Sequence, residues 1–365
     1  MYRLILCVLV GCVLSCSTGK EGTGWSGRQV KRPKNVILMV GDGMGLTQIS
    51  AGYYANRLHL RLFDFPIVGL HCPMPYGDDL ITDSAAGATA FSCGVKTYNA
   101  AIGVDKDTVP VETVLEIANK RGRATGLVTT TTIVHATPAS FIAHQPHRDQ
   151  YEEIAADFLD TPVDLFIGGG LKYFTNRADG RDLKAELTAK GYYVSDYTQE
   201  ELGAVRVPTG AKLGYLTSYS DPVPVAQGRD YFDTAVQLSL GFLPNQSKKG
   251  FFMMIEGGQI DWGGHANDSD YLVSEMLEFD KVIGRVLDFA RTDGETLVIV
   301  TADHETGGYS ILKHSTVDSL KTAFTTDYHT GDFIPVFAFG PGAEAFSGVY
   351  QNTDICKKMK HALGY

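Results

Sequence analysis

Asn35-Val36-Ile37-Leu38-Met39-Val40-Gly41-Asp42 is the stretch on which the fold turns. Every side chain from Val36 to Val40 is apolar. A strand with one face in water would alternate, so this run predicts a strand buried on both faces, as in a parallel sheet covered by helices. Gly41 ends it, and Asp42 stands just past its carboxyl end. Similar runs occur at 124–129, 163–167, 251–255, 296–301 and 335–339. Helical patterns lie between them. In 111–120, Val111, Val114, Leu115 and Ala118 share a face; in 271–290, Leu272, Met276, Phe279, Ile283, Val286 and Leu287 do. Strands alternating with helices predict an α/β fold with a mostly parallel central sheet and helices on both sides. The stretch 171–227 is more polar and less regular, and reads as an irregular insertion within a single domain spanning 33–365.

Ligands of such sheets bind beyond the carboxyl ends of the strands. The residues there are Asp42 after the first strand, Glu256, Asp261 and His265 after the run at 251–255, and Asp303 and His304 after 296–301. Thr130 and Thr131 lead into His135 and Thr137. Metal-ligand residue types therefore recur at the one edge where a site is expected.

Composition narrows the partners. The 365 residues carry a formal charge of −10. Such a chain repels polyphosphate backbones, which argues against a nucleic-acid partner. A small anionic substrate is not excluded, since local positive groups and metals can dominate one pocket. At the N-terminus, Met1-Tyr2-Arg3 precedes an apolar run at 4–14, too short to span a bilayer. This is a signal-peptide pattern, assigned to 1–16, and implies export. Cys12 and Cys16 each end a lipobox-like sequence; Cys16, before a polar Ser-Thr-Gly-Lys-Glu run, is the preferred lipid acceptor. The expected location is the periplasm or an outer-membrane lipid anchor. Residues 17–32 read as a flexible tether. Past the leader stand Cys72, Cys93 and Cys356; no CxxC pair supports a cysteine zinc site, and whether Cys72 and Cys93 pair is left open.

The motifs gain weight together. Gly41-Asp42-Gly43-Met44-Gly45 lacks the spacing of a dinucleotide loop and would face a pyrophosphate with a carboxylate. Asp83-Ser84-Ala85-Ala86-Gly87-Ala88-Thr89-Ala90 begins a helix of very small residues. A serine there is most often an N-cap, but the lack of bulk suits a helix packed behind a site, with amides favouring phosphate. Arg148 offers a planar fork matching two phosphate oxygens, although alone it reads as a surface arginine. His144 and His147 nearby read as surface residues. Asp261 and His265, four apart, share a helical face and suit one zinc ion. Asp303-His304 and His329-Thr330-Gly331 supply further ligands.

Taken together, and in this order, Asp42 to Gly45, Asp83 to Ala90, His135 to Pro138, Arg148, Gly168 to Gly170, Glu256 to His265, Thr301 to His304 and His329 to Gly331 resemble the alkaline phosphatase family. The resemblance implies a three-layer sandwich and two zinc ions and one magnesium ion per chain. Asp261, His265 and His329 look like ligands of a first zinc. Asp42, Asp303 and His304 look like those of a second, beside the nucleophile Ser84. Asp42, Thr137 and Glu256 look like magnesium ligands, and Arg148 the holder of the substrate phosphoryl group. The implied reaction is hydrolysis of small phosphate monoesters through a phosphoserine, with broad substrate range and an alkaline optimum. Family members are commonly homodimers. Some branches carry Asp where this chain has His135 and Lys where it has Trp262; both are expected just behind the ligands, tuning magnesium and phosphate affinity. The short span from Asp303 to His329 leaves little room for the crown of larger members and implies a more open site. A phosphodiesterase of the same superfamily would usually carry threonine in place of Ser84, and a binding lipoprotein without turnover would have lost Ser84, Arg148 or a ligand.

Overall fold

The run that opens the sequence argument is strand β1 (Asn35–Gly41), and all seven of its residues are buried. In this computed structural model the described residues are 32–365. The expected leader (1–16) and nearly all of the tether (17–32) lie outside them. The other strands are β2 (Ile67–Cys72), β3 (Ala124–Thr132), β4 (Leu165–Gly169), β5 (Tyr192–Asp196), β6 (Lys212–Leu216), β7 (Phe251–Gly257) and β8 (Thr296–Thr301). Four two-residue strands follow: β9 (Glu305–Thr306), β10 (Ser310–Ile311), β11 (Thr322–Ala323) and β12 (His329–Thr330). Two more, β13 (Ile334–Phe339) and β14 (Gly348–Gln351), complete the set.

Ten strands form one sheet in the order β14-β2-β13-β8-β1-β7-β3-β4-β6-β5. Only β13 pairs antiparallel to its neighbours, β2 and β8, so the sheet is mostly parallel as predicted. The short strands make two small ladders, β10 with β11 and β12 with β9.

Side chains alternate across β1. Val36, Leu38 and Val40 enter one core; Ile37 and Met39 enter the other. The first core is covered by α2 (Ser84–Cys93), α3 (Val114–Lys120), α4 (Ala136–Ala139), α5 (Tyr151–Asp157), α6 (Leu171–Thr175), α7 (Leu183–Ala189) and α11 (Asn352–Leu363). The second is covered by α1 (Leu46–Ala55), α8 (Tyr231–Gln246), α9 (Gln259–His265) and α10 (Ser269–Asp293). Both faces of the sheet are apolar, which is why its central strands read as unbroken hydrophobic runs.

The boundaries shift for identifiable reasons. The helix expected from 111 starts at Val114, because Thr113 caps it and Glu116 closes a capping box. The helix expected at 271–290 is longer: Asp268 accepts from two amides at its start, and Gly294, with φ 66°, ends it. The strand expected at 163 starts at Leu165, since the Val163 backbone is bound by the Tyr192 hydroxyl instead of the ladder. Segment 171–227 is not irregular: it supplies α6, α7, β5 and β6, and both strands extend the main sheet. β5 is short, half-buried and at the sheet edge, so it has no apolar run to announce it.

Cys72, Cys93 and Cys356 are all free thiols. Among the described residues no helix is long and apolar enough to cross a membrane.

Candidate metal centre and phosphate site

The register of the four middle strands levels their carboxyl ends. Val40 of β1 pairs with Glu256 of β7 and Thr301 of β8, and Thr129 of β3 pairs with Glu256. Asp42, Glu256, Asp303 and His304 therefore emerge side by side, all fully buried. The turn after β1 needs glycine: Gly43 has φ +73°, and a Cβ there would lie 2.8 Å from the Asp261 backbone. Its amide donates to Asp303 Oδ1 at 3.3 Å.

Three imidazoles are oriented in the same way. His304 Nδ1 lies 3.2 Å from Thr306 Oγ1, His265 Nδ1 2.6 Å from the Asp327 carbonyl, and His329 Nδ1 2.8 Å from the Thr82 carbonyl. Each ring is thereby held with Nε2 facing inward. His265 Nε2 is 3.3 Å from Asp261 Oδ2, and His329 Nε2 is 3.6 Å from Asp261 Oδ1. His304 Nε2 is 3.3 Å from Asp303 Oδ2 and 3.5 Å from Asp42 Oδ1. Asp261, His265 and His329 offer ligand atoms within 4.8 Å of one another, and so do Asp42, Asp261 and His304.

A third group lies on the other side of Asp42. Asp42, His135 and Glu256 also converge within 4.8 Å. Glu256 Oε2 accepts from the Thr129 and Thr131 hydroxyls. Glu256 Oε1, Thr137 Oγ1, His135 Nδ1 and both Asp42 oxygens are buried without a hydrogen-bond partner.

Ser84 is the first residue of α2, and Asp83, not Ser84, is its N-cap. Ser84 Oγ is 3.3 Å from His304 Nε2. The helix packs close behind: a Cβ on Gly87 would come within 2.9 Å of Asp303 Cβ. Arg148 donates from Nη1 to Asp83 Oδ2 at 3.0 Å, with Nη2 3.4 Å from His135 Nε2. Its side chain is 21% exposed, so it is not the surface arginine its local sequence suggests.

An alkaline phosphatase family model matches residues 33–323 and 313–365. The chain belongs to the alkaline phosphatase family. Alkaline phosphatase 3 of Bacillus subtilis is 34% identical, over 91% of this chain and 89% of its own. The Escherichia coli alkaline phosphatase is 31% identical, over 92% and 87%. The solved alkaline phosphatase of the Antarctic bacterium TAB5 superposes with a TM-score of 0.87 at 43% identity, covering 92% of this chain and 99% of that one. A histidine-to-aspartate variant of the TAB5 enzyme is described with magnesium in its M3 site.

The donor set of this alkaline phosphatase family member fits cations. Four carboxylates, Asp42, Glu256, Asp261 and Asp303, are buried together. Uncompensated, such burial is prohibitive. Burial, then the charges of Asp303, Asp261 and Glu256, push Asp42 well above its ordinary value. Burial and Asp261 push Asp303 up to about 7. Burial also resists ionisation of Asp261, but His265, His304 and His329 prevail and hold it low. Hydrogen bonding to Asp261 raises His265 to about 9, while burial and Arg148 lower His135 to about 3. Four buried carboxylates with three inward-facing imidazoles and one nearby guanidinium are a donor set that multivalent cations would compensate.

Every site residue expected from the sequence lies in this region, with one change of position. His135 was expected behind the ligands, yet its Nδ1 stands with Asp42 and Glu256 as a potential donor. Trp262 remains behind it, edge-on to the His135 ring at 6.1 Å. His147 is exposed, whereas His144 is half-buried, 2.6 Å from the Gly103 carbonyl. Sequence reasoning missed Asp83, which both caps α2 and holds Arg148, and Thr306, whose hydroxyl bridges Asp261 and His304. Asp83 sits inside a recognised motif and was readable as a cap. Thr306 carries no local signal.

Proposed function

We propose that the chain hydrolyses phosphate monoesters with bound metal ions, through a covalent phosphoserine at Ser84. The observation that carries this reading is the set of three Nδ1-anchored imidazoles aimed at buried carboxylates, with Ser84 Oγ 3.3 Å from one of them.

Asp261, His265 and His329 would hold one zinc ion, Asp42, Asp303 and His304 a second, and Asp42, Thr137 and Glu256 a magnesium ion bordered by His135. Those ions supply Lewis acidity: they lower the pKa of a bound hydroxyl or water and neutralise phosphoryl charge. Arg148, pre-aligned by Asp83, binds two phosphoryl oxygens through its fork. Ser84 Oγ attacks phosphorus as the ester P–O bond breaks, and the alcohol leaves with a proton. A water oxygen then attacks phosphorus from the vacated side, loses its proton, and the bond to Ser84 Oγ breaks to release phosphate. Two in-line displacements give net retention at phosphorus. The small residues of α2 let its amide end approach the phosphoryl group.

The test is release of p-nitrophenol from p-nitrophenyl phosphate at alkaline pH. The purified protein should turn over, lose activity in EDTA, and regain it with zinc plus magnesium. Ser84→Ala should fall at least a thousandfold. Absence of turnover in fully metallated protein would refute the monoesterase reading, and preference for bis-p-nitrophenyl phosphate would favour a diesterase.

Export, lipid attachment at Cys16 (or Cys12), a periplasmic or outer-membrane location and a homodimer extend the proposal. Palmitate labelling that vanishes in Cys16→Ala, and light scattering of the purified protein, test them.

A further inference from the structure

Tyr328 stands immediately before His329, and its ring lies flat against that imidazole, with centroids 4.4 Å apart and planes 12° apart. The other face of His329 stacks on His304 at 3.5 Å. Tyr328 also leans on His265 at 6.0 Å. It therefore ends a column of three rings that begins beside Ser84. Backbone hydrogen bonds fix it: its amide donates to Thr326 Oγ1 at 3.1 Å, and its carbonyl accepts from Gly307 at 2.9 Å. Yet the residue is 48% exposed. An aromatic ring stacked on a metal-ligand candidate and about half exposed can serve as a stacking platform.

Two apolar side chains stand on the neighbouring loop, whose Thr82 carbonyl lies 2.8 Å from His329 Nδ1. Leu80 is 65% exposed and Ile81 half-buried, on the loop leading to Ser84. Gly331, two residues beyond His329, packs against this loop: a Cβ there would meet Ile81 Cδ1 at 3.3 Å. An in-line displacement sends the alcohol away from Ser84 Oγ and its neighbour His304, toward the side taken by the other candidate group, Asp261, His265 and His329, on which Tyr328 stacks. The alcohol's remaining atoms thus leave the phosphoryl group past Tyr328.

We propose that Tyr328 is a leaving-group platform that favours phosphomonoesters whose alcohol carries a planar ring, nucleoside monophosphates among them. Stacking of a base on an aromatic side chain is sequence-tolerant and large enough to move a rate about tenfold. This inference rests on the phosphomonoesterase reading.

The test compares AMP with ribose 5-phosphate, which present the same primary alcohol with and without a base. In the zinc- and magnesium-loaded protein, kcat/KM for AMP should exceed that for ribose 5-phosphate by roughly tenfold. Tyr328→Ser should erase the difference, leaving ribose 5-phosphate within about twofold of its original value at unchanged metal content. Tyr328→Phe and Tyr328→Trp should keep it. Equal kcat/KM for the two esters in the unmodified protein would overturn the inference while leaving the phosphatase reading intact. Equal losses on both esters in Tyr328→Ser would also overturn it, making Tyr328 a prop for His329. Failure to hydrolyse p-nitrophenyl phosphate as well would be a failure of the parent reading.

Discussion

Asp83 ties Arg148 to the helix that begins at Ser84: one carboxylate oxygen takes the guanidinium at 3.0 Å, and the other takes the Ala86 amide at 3.0 Å. The phosphate holder and the nucleophile are thus positioned by a single side chain. Ala100 donates its amide to the same carboxylate at 2.9 Å, tying the following loop to it as well.

Asp83→Asn keeps an oxygen for the helix cap and removes the charge that orients Arg148. The melting temperature should fall by a few degrees, since an amide NH2 in place of Oδ2 also leaves the Ala100 amide without its acceptor. Inhibition by inorganic phosphate should weaken by about five- to tenfold, since the guanidinium must be ordered at each binding event. An unchanged inhibition constant would mean that Arg148 is positioned by other contacts.

Thr306 accepts from His304 Nδ1 and donates to Asp261, so one hydroxyl aligns ligands of two candidate zinc sites. Removing such a partner typically costs 10–100-fold in metal affinity. Thr306→Val should lose zinc to a chelator correspondingly faster, and Thr306→Ser should recover most of the loss. Equal zinc retention in all three proteins would deny the hydroxyl this role.

Metal removal should destabilise the fold as well as stop turnover. Without cations, Asp42, Asp303 and Glu256 are buried carboxylates whose pKa values are raised. An ion present at a thousandfold excess over its dissociation constant adds about 4 kcal/mol. EDTA should therefore lower the melting temperature by more than about 5 °C, reversibly on adding zinc and magnesium. Calorimetry of the two forms measures it.

His144 and Glu116 form a separate pH-dependent contact at 3.3 Å. Burial opposes charge on His144, but Glu116 and the Gly103 carbonyl raise it above its ordinary 6.5. Burial likewise opposes charge on Glu116, but His144 and the Thr113 amide lower it below 4.5. The histidine's contribution is complete below 6.5 and fades as pH rises through its raised value. The carboxylate's is complete above 4.5 and fades as pH falls through its lowered value. The pair is thus strongest between these limits. In metal-free protein, His144→Gln should cost about 1 kcal/mol near pH 5.5 and almost nothing at pH 9.

What was legible in the sequence follows from burial. β1, β3, β7, β8 and β13 lie inside the sheet and read as apolar runs, while β2, β5, β6 and β14, short or near its edges, do not. The candidate ligands were legible because acids and histidines at strand ends have no bland explanation. Their supports were not. Thr82 and Asp327 act through backbone carbonyls that any residue possesses, and Thr306 acts across 45 residues of sequence on Asp261.

The sheet also has a symmetry of placement. β8, β1, β7 and β3 carry the site, with β14, β2 and β13 on one side and β4, β6 and β5 on the other. Strands fray from the rim inward, since an outermost strand has a neighbour on one side alone. Local opening therefore starts three strands away from the chemistry in either direction. A molecule that has shed β14 or β5 still holds Asp42, Glu256 and Asp303 in register, so on gradual heating catalysis should outlast the first loss of backbone protection measured by hydrogen exchange.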